Sequence, residues 1–236
     1  MDVQQHGDAL FVGPPLESGP LPTLIYFSLS AHDSLTLDPF NQPVVHLSDR
    51  QARIFSYTIP GHEDGKDPKA AIAFWASEFA SRRDPLTPFF DRVATSIEEI
   101  QASTSSLLIA GLSRGAFVAA HIAHRISCDG LLGFAPLTTL ETTRECEGLD
   151  LSHFNLDCLD LTRQPIRLYI GNRDRRVGTE HAFTLITSLA ERSHEHSPPF
   201  ELFITPSIGY QGHGTSPEIF REGAEWAWRH LEEAKS

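Results

Sequence analysis

The residues Gly111-Leu112-Ser113-Arg114-Gly115 close an apolar run at 107–110 and open a segment rich in alanine. A serine flanked by glycines at this spacing marks a strand-to-helix turn that exposes a nucleophilic hydroxyl. Side chains at the glycine positions would collide with the neighbouring strand or helix, and the serine itself sits in a strained conformation. The turn aims a helix N-terminus at the hydroxyl, so the N–H of Arg114 is placed to hold an oxyanion. A serine hydroxyl is a weak nucleophile until a base activates it and a third group orients the base. His213 stands between Gly212 and Gly214, neighbours that offer neither packing nor helix propensity, in the kind of bared loop from which a reactive imidazole works. Asp174 lies among Arg173, Arg175 and Arg176, which favour its ionised form, as suits a carboxylate that must stay charged beside an imidazolium. Glu141 and Glu145 are the reserve carboxylates.

These residues need a frame. Short β-rich runs at 24–27, 54–59, 107–110, 131–134, 166–170 and 201–205 alternate with helical patterns, and 9–12 suits an edge strand. Most runs are continuously apolar, as strands covered on both faces must be, which predicts an α/β fold with a mostly parallel sheet between helices. Phe90, Val93, Ile97 and Ile100 fall at helical spacing, as do Ala182, Leu185, Ile186, Leu189 and Ala190. After Ser113, the apolar and alanine positions predict a mostly buried helix whose narrow polar stripe is Arg114, His121 and Arg125, with His121 and His124 at its edge. The last helix starts at Thr215-Ser216-Pro217-Glu218, buries Phe220, Ala224, Ala227 and Leu231, and carries Trp226 and Trp228 on its flanks. The irregular stretch 137–164 reads as a short lid or a packed excursion within one domain spanning 1–236.

Composition excludes several classes of function. The chain of 236 residues carries 31 Asp+Glu against 19 Lys+Arg, and its basic residues are scattered, which argues against nucleic acid as a partner. No run is long enough for a membrane span, and the first ten residues lack the apolar core of a signal peptide. Cys128, Cys146 and Cys158 are odd in number and lack CxxC spacing, so neither a disulfide framework nor zinc is expected, and a cytoplasmic location follows. His194-Glu195-His196 lacks a third ligand at compatible spacing, and 60–65 reads as a turn.

With Gly111-Leu112-Ser113-Arg114-Gly115, the 171–177 loop and Gly212-His213-Gly214 in place, the chain resembles the α/β-hydrolase superfamily. It is most similar to compact members akin to dienelactone hydrolases and the catalytic domain of prolyl oligopeptidases, over about 24–231. The family's chain order of serine, acid and histidine matches Ser113, Asp174 and His213. Serine stands where dienelactone hydrolases usually carry cysteine, which points to ester chemistry. The resemblance implies an acyl-enzyme mechanism on a small-molecule ester, thioester or amide, with no cofactor and no metal. A lipase-like His-Gly-Gly-Gly is absent, and by family position the second oxyanion N–H comes from Leu29. A binding protein that kept the scaffold, or an acyltransferase, would carry the same residues. Arg114 and Arg176, beside two of these groups in a chain of formal charge -12, are candidates for holding a substrate carboxylate or phosphate.

Overall fold

A computed structural model describes residues 2–234, so the outermost residues of the expected 1–236 domain lie outside the described residues. Eight strands form one sheet: β1 (Gln4–His6), β2 (Ala9–Val12), β3 (Leu21–Phe27), β4 (Arg53–Tyr57), β5 (Thr104–Leu112), β6 (Gly130–Phe134), β7 (Ile166–Gly171) and β8 (Phe200–Thr205). Their spatial order is β1-β2-β4-β3-β5-β6-β7-β8, antiparallel at β1/β2 and β2/β4 and parallel from there on. β1 was not legible: its three residues, Gln-Gln-His, carry no apolar signal and pair only as a hairpin with β2. β4 ends at Tyr57, two residues short of the expected end, because 58–62 turns away toward the site.

Alternation across the central strands divides the core. Leu24 and Tyr26 of β3 face one layer, with Leu108, Leu132, Phe134 and Tyr169, and meet α1 (Ala31–Thr36), α2 (Gln42–Leu47) and α7 (Pro217–Glu233). Ile25 and Phe27 face the other, covered by α3 (Ala71–Ala80), α4 (Thr87–Glu99), α5 (Arg114–Arg125) and α6 (Thr179–Arg192). The expected apolar face of α7 is buried, and Trp226 joins it at 4% exposure instead of sitting on the flank. Within 137–164, three short 3-10 turns carry Cys146, Phe154 and Leu156 into the second layer, where Leu140 and Leu161 are also buried.

Two buried polar side chains stitch this frame. Arg53 is fully buried at the start of β4 and donates to the carbonyls of Pro14, Pro15, Gly19 and Ser103 at 2.6–2.9 Å, tying the N-terminal segment to the turn before β5. His121 was expected at the polar edge of α5 but lies inside, stacked on Phe90 with ring centroids 4.5 Å apart. Its Nε2 meets the Phe154 carbonyl at 2.9 Å, so that nitrogen carries the proton and the excursion is bonded to α5.

Burial pushes the His121 imidazole down to about 3. The unfolded chain therefore takes a proton there near pH 6.5 while the folded protein does not, and stability falls as pH drops from about 6.5 toward 3. His121→Phe loses the bond to Phe154 but also this linkage. Urea unfolding between pH 7 and about 4 should give a less stable variant with a shallower pH slope than the parent. Parallel slopes would show that His121 does not titrate on unfolding.

Candidate active site

The site begins at the C-terminal end of β5. Ser113 has φ 57° and ψ -120°, outside the usual basins, at a cost on the order of 1–3 kcal/mol that the surroundings must hold. They do so by backbone bonds: the Ser113 N–H donates to Phe134 O at 2.7 Å, and its carbonyl accepts from Ala116 N at 3.0 Å and Leu137 N at 3.2 Å. A Cβ on Gly111 would overlap the Gly115 carbonyl, and one on Gly115 would overlap the Phe27 carbonyl at the end of β3. The two glycines thus let α5 start directly against the sheet, which fixes where the serine hydroxyl points.

His213 follows a short 3-10 turn, Tyr210–Gly212, in the loop after β8. Its Nε2 lies 2.7 Å from Ser113 Oγ, and its Nδ1 lies 2.7 Å from Asp174 Oδ2. Asp174 is buried at the end of β7; its second oxygen accepts the N–H groups of Arg176 and Val177 at 2.9 and 3.1 Å. Thr179 braces this loop, accepting from Asp174 N at 3.0 Å and donating to Gly171 O at 2.6 Å. The base loop is tied to the acid loop by Arg175 N to Gln211 O at 2.9 Å.

This corrects one expectation about charge. Among the described residues no guanidinium pairs with Asp174; the backbone N–H groups of its own loop and the imidazole hold it instead. Arg176 turns away and grips Glu145 through two bonds of 2.9 and 3.2 Å. Burial alone would raise the Glu145 carboxyl, but the hydrogen bonds from Arg176 and from its own backbone N–H hold it below the usual carboxylate range. Neither Glu141 nor Glu145 contacts His213.

The N–H expected to be the second oxyanion donor already has a partner. Leu29 N donates to Ser34 Oγ at 2.9 Å, and Ser28 N approaches the same oxygen at 3.2 Å, so the Leu29 N–H is occupied. Ser30 caps α1 by accepting Asp33 N on its hydroxyl at 3.0 Å, while the Ser30 N–H has no partner among the described residues. Ser34 and Thr179 were missed by sequence reasoning. The signal for the first was the Ser30-x-x-Asp33 spacing, an N-cap pattern that announces α1 and places Ser34 on its first turn. His62, read as part of a turn, is 4% exposed, and both of its ring nitrogens lack partners among the described residues. Burial, aided by the charge of Arg114, pushes it down to about 4, which keeps it neutral. Arg114 is half-buried, and its guanidinium donates to the Pro68 carbonyl at 2.9 Å.

Chemically, a serine hydroxyl at hydrogen-bond distance from an imidazole oriented by a buried carboxylate can transfer its proton as it attacks a carbonyl. Close approach makes a sign prediction. Alanine is a better helix former than glycine by about 1 kcal/mol, yet Gly115→Ala should destabilise the protein by more than about 2 kcal/mol in denaturant titrations, because its Cβ meets the β3 backbone. A stabilised variant would show that α5 does not depend on this contact.

No protein-family model matches the sequence, and no curated protein matches it. Solved structures do match in three dimensions. TT1662 from Thermus thermophilus aligns with a TM-score of 0.73 at 18% identity, over 98% of this chain and 99% of that one. A phospholipase/carboxylesterase from Dyadobacter fermentans aligns at 0.61 and 16% identity, over 94% and 96%. Prolyl oligopeptidase B from Galerina marginata aligns at 0.67 and 14% identity, over 97% of this chain and 35% of that longer one. With an eight-stranded, mostly parallel sheet between two helical layers and these neighbours, the chain has the α/β-hydrolase fold.

Proposed function

We infer that the protein is a serine hydrolase in which Ser113 is the nucleophile, His213 the general base and Asp174 the carboxylate that orients it, acting on a carboxylic ester, a thioester or a small amide. The observation that carries this reading is the unbroken chain of two 2.7 Å hydrogen bonds, Asp174 Oδ2 to His213 Nδ1 and His213 Nε2 to Ser113 Oγ. With Nδ1–H donated to the carboxylate, the lone pair on Nε2 faces the hydroxyl. Ser113 Oγ attacks the substrate carbonyl as its proton passes to Nε2. The resulting oxyanion is met by the Arg114 N–H at the start of α5. Collapse breaks the bond to the leaving group, which takes the proton from Nε2. Water then gives a proton to the same nitrogen as it attacks the acyl-enzyme, and the second collapse breaks the acyl bond to Ser113 Oγ, which takes that proton back as the acid leaves.

The structural neighbours support acyl transfer, since among them are a phospholipase/carboxylesterase, an esterase and a prolyl oligopeptidase. Kinetics on a panel of acyl esters, thioesters and amides tests the reading. Turnover of the best substrate should fall by as much as about a million-fold in Ser113→Ala and by up to about ten-thousand-fold in Asp174→Asn, with circular dichroism unchanged. Turnover that survives Ser113→Ala, or no hydrolysis across the panel, would overturn it. Equal losses in Glu145→Gln with an unaffected Asp174→Asn would move the acid role to Glu145.

A further inference from the structure

Charge is distributed against the grain of the molecule around this site. The chain carries a formal charge of -12, yet a cavity of about 860 Å³ is lined by Lys69, Arg114, Arg144, Arg175 and Arg176. Only Glu145 and Glu147 oppose them in its wall. The cavity is bordered by all three segments of the proposed reacting chain: Arg114 follows the serine, Arg175 and Arg176 follow the acid, and Tyr210 and Gln211 precede the imidazole. An occupant would therefore touch the chain segments that carry Ser113, Asp174 and His213.

Pairing within the wall is unequal. Arg176 and Glu145 satisfy each other through their two hydrogen bonds. Arg114, Arg144 and Arg175 form no direct ion pair among the described residues, and the one hydrogen bond of the Arg114 guanidinium goes to a neutral carbonyl, Pro68 O. Its other N–H groups have no acceptor among the described residues. Burial first, then the charge of Arg176, press this guanidinium down to about 10 against the opposing charge of Glu145. A partly desolvated cation beside a second cation is an arrangement that an entering anion relieves. The wall also shows which anion suits it, because Arg176 already holds one carboxylate by paired bonds.

We propose that this cavity receives a carboxylate carried by the substrate, held by the Arg114 guanidinium, so that the enzyme prefers esters bearing a free carboxylate to their neutral counterparts. The chemistry rests on the serine-hydrolase reading; the binding of the carboxylate does not. Arg173, which follows the same strand but lies outside the cavity wall, takes no part.

Two arms test it. In the first, kcat/KM is measured at low salt for 4-nitrophenyl hemiglutarate against its methyl-capped ester, and for 4-acetoxybenzoate against its methyl ester, so that the carboxylate sits on the acyl side or the alcohol side. At least one charged member should be favoured by about 10- to 100-fold, the range expected for hydrogen bonds to a charged group, and added potassium chloride should narrow the gap. Arg114→Gln should bring the ratio close to one, Arg114→Lys should keep part of it, and Arg173→Gln should keep all of it. In the second arm, glutarate should raise the melting temperature of Ser113→Ala and leave Ser113→Ala/Arg114→Gln unmoved. Equal rates for charged and neutral esters in both series overturn the proposal and leave the hydrolase reading standing. Absence of turnover of every ester, thioester and amide tried overturns the hydrolase reading, and the glutarate shift then decides the cavity alone. Stabilisation by inorganic phosphate without any by glutarate overturns the carboxylate assignment.

Discussion

Helix α5 can begin against the end of β3 only because Gly115 has no side chain, and the geometry around the site follows from that close approach. The Phe27 carbonyl occupies the space a Cβ would need, so the helix lies directly on the sheet and the chain must turn sharply at Ser113 to enter it. Positive φ at a serine is unfavourable, and the cost is offset by bonds that only the assembled sheet provides, to Phe134 O and from Leu137 N. A buried α5, with Phe117, Val118, Ile122 and its alanines almost fully covered, anchors the turn from the other side. The placement of the Ser113 hydroxyl is thus a consequence of packing: loosening α5 would relax the serine before it touched any other site residue.

The electrostatic half of the site depends on burial of a different kind. A carboxylate taken out of water is costly unless hydrogen bonds replace hydration. Asp174 receives them from the N–H groups of Arg176 and Val177 and from the His213 ring, while Thr179 holds the loop that delivers them. Backbone donors suit this task because they add no mobile charge next to the imidazole. The arginines of the same loop are left for other work: one grips Glu145, and Arg175 lines the cationic cavity.

Much of this was legible in the sequence, for reasons that differ by element. Parallel strands buried on both faces are continuous apolar runs, so β3 and β5 to β7 were found with their ends misplaced by a few residues at most. The glycines around Ser113 and His213 mark backbone demands that few other residues meet, and chain order then selected Asp174. What escaped depends on contacts and short elements that periodicity does not announce. His121 looks like a polar-stripe residue until Phe90 and the Phe154 carbonyl close over it. Leu29 fits the oxyanion position by register, but Ser34, five residues on, takes its N–H. The arginines after Asp174 look like its partners along the chain, whereas Glu145 reaches Arg176 from the 137–164 excursion. Helices α1 and α2 are six residues each, too short for periodicity to announce them.

Since the account rests on a serine made nucleophilic by its neighbours and not by its type, selective reaction of that one hydroxyl is the most direct measure of it. The folded protein should be treated with a fluorophosphonate and the adduct located by peptide mass spectrometry. The account predicts a single modification at Ser113, abolished by His213→Ala although the serine is retained. An unmodified Ser113 in folded protein, or a modification on another serine that survives His213→Ala, would contradict it.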